Sequence, residues 1–153
     1  MTAAAGRFIG RAAALPQLRR RPPRGIPWTP LRRPVAEATV ALVSTSGVHL
    51  ATDPPFDLSG DGTFRVIPRD TEAGELVLTH PAYDRRDAQR DLNLVFPLER
   101  LRELQREGVI GRLAGHHYGF GLSPDDRALA EPGRELARRL RRDGVDLALL
   151  VPA

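Results

Sequence analysis

The chain has 153 residues, 41% of them hydrophobic and 27% charged, enough for one globular domain and not two. It contains no cysteine, which excludes a disulfide framework, a thiolate zinc site and a cysteine nucleophile within these residues, and fits a reducing, cytoplasmic setting. No run approaches the ~20 apolar residues of a membrane span.

All 23 basic residues are arginine, and they are unevenly placed. Residues 1–38 carry eight arginines against one acid, Glu37, a balance of +7; the remainder carries 15 arginines against 18 acids, a balance of −3. The chain therefore reads as a basic, proline- and arginine-rich arm (1–38) and a mildly acidic body (39–153). Such an arm can touch nucleic acid or anionic lipid, or dock on a partner. The acidic body disfavours nucleic acid. Residues 1–21 read as a short basic helix with Phe8, Ile9, Ala12, Leu15 and Leu18 as its apolar positions. The arm is arginine-rich like a transit peptide but lacks serine, and reads as part of the mature protein. Residues 22–34 are too rich in proline for helix and are expected to run extended, anchored by Trp28.

In the body, Val40–Val43 is a short valine-rich run that predicts a buried strand. Ser44, Thr45, Ser46 and Gly47 then predict a tight turn, delivering His49 and Asp53 just beyond, before Pro54 and Pro55 stiffen the loop. Further strands are expected at Phe64–Ile67, Glu75–Thr79, Val145–Val151 and, ambiguously, Ile110–Ala114. A helix is expected from Pro97, with Leu98, Leu101 and Leu104 on one face and Gly108 as its stop. A second helical region should start at Ser123, Pro124 and Asp126, break or restart at Pro132, and bury Leu136, Ala137 and Leu140 before Gly144. Strands alternating with helices predict an α/β fold, a partial doubly wound and mostly parallel sheet. Val145–Val151 is apolar at nearly every position, as expected of a central strand covered on both faces. With no helix following it, the sheet reads as incomplete at the C-terminus, cut at a strand end that points into the ligand crevice.

Three polar clusters are expected at strand ends. The first is Ser44, Thr45, Ser46, His49 and Asp53; the second is His80, Tyr83, Asp84, Asp87, Asp91 and Asn93; the third is His116, His117 and Tyr118. Histidines with carboxylates can do acid–base work or bind a metal. The spacings match no zinc signature, and no metal is expected. No dinucleotide fingerprint, phosphate-binding loop or nucleophile elbow is present. The bland alternative leaves these residues as hydrogen-bonded loop groups and solvated caps.

In combination, VALVSTSGVHLATDPPFDLSGDGTFRVIPRDT, LTHPAYDRRDAQRDLNLVFPLERLRELQREGVIG, HHYGF and RRDGVDLALLVPA resemble the glycine/sarcosine/betaine reductase component B and D-proline reductase selenoprotein family. The resemblance runs from about Ile26 to Ala153. It implies an oxidoreductase that reductively cleaves an amino-acid-derived C–N bond, with a disulfide as acceptor. It implies other reductase-complex subunits as partners, one of them carrying a pyruvoyl group that activates the substrate amine. It also implies a selenocysteine or cysteine directly after the strand matched by VDLALLVPA, so the nucleophile is expected just after Ala153 and the chain reads as truncated there. By matched position, His49, Asp53, His80, Tyr83, Asp84, Asp91, Asn93, His117 and Tyr118, with Ser46 from the STSG turn, are expected to line the substrate crevice. His80 and His117 are the candidates for proton transfer, and Asp84 and Asp91 for orienting loops or binding an amine. The alternative reading is a non-catalytic small-ligand-binding or regulatory domain.

Overall fold

The structure, a computed structural model, describes residues 29–123, 125 and 127–152. The expected arm helix, Trp28, and the cap residues Pro124 and Asp126 lie outside them. Thr39–Ser44 forms β1, buried at every residue. Alternate residues of a strand turn their backbone groups to opposite sides, and β1 spends both. Val40 O accepts from Ala114 N–H on one side, and Thr39 O accepts from Asp146 N–H on the other.

On the first side run β5 (Arg112–Leu113) and β6 (His116–Phe120), both parallel to β1. On the second runs β7 (Leu147–Val151), parallel and paired from Val40↔Leu147 to Ser44↔Val151. β3 (Phe64–Pro68) closes the far edge, antiparallel to β6. β2 (Val48–Leu50) and β4 (Leu76–Leu78) form a separate antiparallel ladder. β2 approaches β6 closely because Gly119 has no side chain; a Cβ there would overlap Val48 O.

The sheet carries a helix on each face. α2 (Leu98–Arg106) buries Leu98 and Leu101 with Val40, Leu42, Ile67 and Phe96. α3 (Ala130–Arg142) buries Leu136 with Val43, Tyr118 and Phe120. α1 (Arg86–Arg90) is a short turn of helix on the surface loop. The expected α/β fold with a mostly parallel sheet is the observed one. No helix among the described residues is long and apolar enough to cross a membrane.

Several expectations change. β1 is the central strand, not β7: among the described residues β7 pairs with β1 alone, and Leu149 and Leu150 are 38% and 69% exposed. An apolar run marks burial of a strand's potential, not its place in the sheet. His116–Phe120 is itself a strand rather than a cluster at a strand end; its two histidines and its glycine hide the β pattern. β3 is antiparallel and β4 leaves the main sheet. Of the two outcomes expected at Pro132, a break or a restart, the restart is the one observed. Pro132 lies in the first turn of Ala130–Arg142, where its missing N–H has no helical partner to lose.

Candidate functional site

β1 ends in a loop held from both sides. Thr45 N–H donates to Val151 O at 3.1 Å and Gly47 N–H donates to Phe120 O at 2.9 Å. Gly47 has φ 72°, and a Cβ there would overlap Thr79 O; only glycine turns this corner so closely. Ser44 and Ser46 are both fully buried. Ser44 Oγ–H donates to Val95 O at 2.7 Å, and Ser46 Oγ lies 2.9 Å from Ser44 Oγ. The loop is thereby tied to the Leu92–Leu94 3-10 turn that precedes α2.

His49 follows on β2 and is buried. Its Nδ1 lies 2.7 Å from Leu50 O and its Nε2 2.9 Å from Thr79 Oγ1. A carbonyl only accepts, so Nδ1 carries a proton and, in the neutral ring, Nε2 accepts from the threonine hydroxyl. Both nitrogens are used inside the protein, and Phe56 packs edge-on against the ring at 5.5 Å. Asp53 accepts from Leu50 N–H at 3.2 Å and closes the turn after β2.

Thr79 N–H donates to Gly47 O, which brings the segment after β4 against the β1 loop. His80 is 3% exposed. Its Nδ1 accepts from Ala82 N–H at 3.2 Å, so the neutral ring carries its proton on Nε2. Burial, aided by the Arg85 charge, holds its pKa below the ordinary histidine value. Tyr83 stacks at 4.8 Å in a tilted arrangement and donates its hydroxyl to Ser46 O at 3.1 Å. Burial raises the Tyr83 pKa, so the phenol stays protonated at neutral pH. Arg85 donates from Nη1 to Leu78 O at 2.9 Å. Ser46, His49, His80 and Tyr83 thus meet around Thr79 and the Gly47 corner. Thr79, Arg85 and the Val95 carbonyl were missed in the sequence; nothing local marks a threonine as the partner of a histidine 30 positions earlier.

The other acids sit apart from this group. Asp84 is exposed and grips Arg86 through its Nε and backbone N–H; that bonding holds its pKa at about 2. Asp91 accepts from the backbone N–H and side-chain amide of Asn93, both at 3.0 Å, and caps the 3-10 turn.

His117 and Tyr118 are neighbours in β6 and so point to opposite faces. His117 is fully buried, accepts the Leu42 N–H at Nδ1 (3.0 Å), and has no partner at Nε2 among the described residues. Desolvation, reinforced by Arg102, His116 and Arg69, lowers its pKa to about 4. Tyr118 lies in the other layer with Phe64 at 5.5 Å and Leu136. The structure does not bring this pair together in one cavity. At the carboxyl ends of β1, β6 and β7 lies a groove of about 570 Å³ lined by Val43, Phe120, Leu136, Leu150, Val151 and neighbouring residues. It is mostly apolar, and of the residues in the three expected clusters Thr45 alone is among those lining it.

Residues 25–153 match the family described as glycine/sarcosine/betaine reductase selenoprotein B. The chain is 42% identical over 125 residues to the D-proline reductase subunit gamma of Acetoanaerobium sticklandii, which covers 80% of this chain and 52% of that protein. It is 30% identical over 133 residues to the sarcosine reductase complex component B subunit beta of Peptoclostridium acidaminophilum, covering 82% of this chain and 30% of that one. It is 28% identical over 131 residues to the glycine reductase complex component B subunit gamma of Carboxydothermus hydrogenoformans, again 82% and 30%. The chain therefore spans about half the length of the first relative and less of the others. No solved structure matches it.

Proposed function

The chain belongs to the glycine/sarcosine/betaine reductase selenoprotein B family, and from that premise we propose that it supplies part of a reductase subunit that cleaves the C–N bond of a glycine-, sarcosine-, betaine- or proline-type substrate. The observation that carries this is the family match across residues 25–153. The 42% identity to a D-proline reductase subunit makes D-proline the first substrate to test. The relatives are subunits of reductase complexes, which supports other complex subunits as partners here. A pyruvoyl-bearing one would activate the substrate amine. We place the work in the cytoplasm.

The nucleophile in this proposal is a selenocysteine or cysteine following Ala153. Such a group supplies an ionised, strongly nucleophilic selenolate or thiolate. The fold supports the placement: β7 ends at Val151 beside Thr45, the loop that also carries Ser46. Around that loop the chain's own residues hold the geometry. Ser44 and Ser46 lock the corner, Tyr83 ties the His80 segment to it through Ser46 O, and His80 presents an Nε2–H.

The test begins with the gene beyond the Ala153 codon. An in-frame TGA or cysteine codon followed by a related open frame supports the reductase, and its product should cleave D-proline, glycine, sarcosine or betaine with a dithiol as reductant. An ordinary stop with no related frame overturns it and leaves a non-catalytic ligand-binding domain.

A further inference from the structure

We infer that His80 is a fixed, neutral hydrogen-bond donor whose Nε2–H receives a carboxylate oxygen of the ligand, with Arg85 as its cationic neighbour. This deepens the reductase reading and rests on it for the identity of the ligand. The first support is the tautomer. Ala82 N–H can only donate, so it takes the Nδ1 lone pair and leaves the ring hydrogen on Nε2. The second is that Nε2 has no hydrogen-bond partner among the described residues. Although His80 is 3% exposed, the sealed side-chain nitrogen or oxygen without a partner among the described residues is His117 Nε2, not His80 Nε2. The small exposed part of His80 therefore includes the donor atom.

The ring is held in place. Tyr83 packs on it at 4.8 Å, and Gly47 backs its Cβ. Arg85 commits one Nη1–H to Leu78 O, and its charge favours the neutral imidazole. What this point of the surface offers is thus N–H groups, which match an anionic oxygen. The neighbouring carboxylate, Asp84, is engaged by Arg86 and faces solvent, and the Tyr83 hydroxyl is spent on Ser46 O. Glycine, sarcosine, betaine and proline share a carboxylate and differ at the amine. His80 accordingly reads the common group and does not set substrate preference.

The test uses the 153-residue chain labelled with ¹⁵N-histidine and acetate as the probe. At neutral pH the His80 resonances should show a protonated Nε2 and an unprotonated Nδ1, and acetate should shift the Nε2–H saturably. The variant His80→Asn keeps an acceptor for Ala82 N–H but has no distal donor; its acetate affinity should fall about tenfold or more, the size expected for a lost bond to a charged group. His80→Gln restores a distal N–H and should recover most of that loss. An Nδ1–H tautomer, no saturable shift, or equal losses in the two variants overturns the proposal. Turnover of D-proline by the longer gene product separately decides the reductase reading: acetate binding without turnover keeps the donor and removes the enzyme.

Discussion

His117 Nδ1 accepts the Leu42 N–H at 3.0 Å across the sheet, so a side chain stands where the ladder would place a carbonyl. The reason is a bulge. Val40 pairs with Leu113 but Val43 pairs with Tyr118, so two extra residues sit on the β5–β6 side between these points. They break the ladder at Leu42, and the imidazole fills the gap. A buried amide left without an acceptor costs about 1–3 kcal/mol. His117→Leu should destabilise the chain by that order in denaturant titration, with loss of amide protection at Leu42.

The same histidine sets an acid limit. Its folded pKa of about 4 lies below the 6.5 of the unfolded chain, so between these values the unfolded state binds the extra proton. Stability should fall as pH drops from about 6.5 to about 4, by a total of about 3 kcal/mol from this group. His80, also lowered, acts in the same direction. Denaturant midpoints across this range, with His117→Leu flattening the slope, check the assignment.

Ser44 joins β1 to the segment before α2 through its bond to Val95 O. Ser44→Ala should cost about 1–3 kcal/mol by removing a buried hydroxyl that serves the part-buried Val95 carbonyl and the Ser46 hydroxyl. Hydrogen exchange should quicken at residues 92–96 before it does in β1.

Gly47 combines φ 72° with contact to Thr79 O. Gly47→Ala should cost about 2 kcal/mol or more from the backbone conformation and the overlap. Its distinctive effect should be on the His80 and Tyr83 resonances, because Thr79 must retreat from the corner. Unchanged resonances would show that the corner does not position them.

Among the described residues β7 is paired along one edge alone, and Leu149 and Leu150 are exposed. An apolar edge strand recruits other strands. The chain should self-associate with rising concentration, and Leu150→Glu should suppress this in light scattering while leaving the circular dichroism spectrum unchanged.

Local chemistry was enough to place several elements and the family. The valine run at Val40–Val43 became β1, and the Leu98–Leu101 spacing became α2 with Gly108 past its end. These rest on neighbours a few positions apart, which periodicity records. The quoted motifs likewise led to the family that the chain proves to belong to. What only the tertiary structure decided is register and adjacency. It made HHYGF a strand and so divided His117 from Tyr118, because successive side chains in a strand face opposite layers. It put Thr79 on His49 and the Tyr83 hydroxyl on Ser46. It also moved β7 to the edge and β1 to the centre. Each of these depends on which distant backbone hydrogen bonds form, and a strand's own residues record that it can be buried without recording between which neighbours.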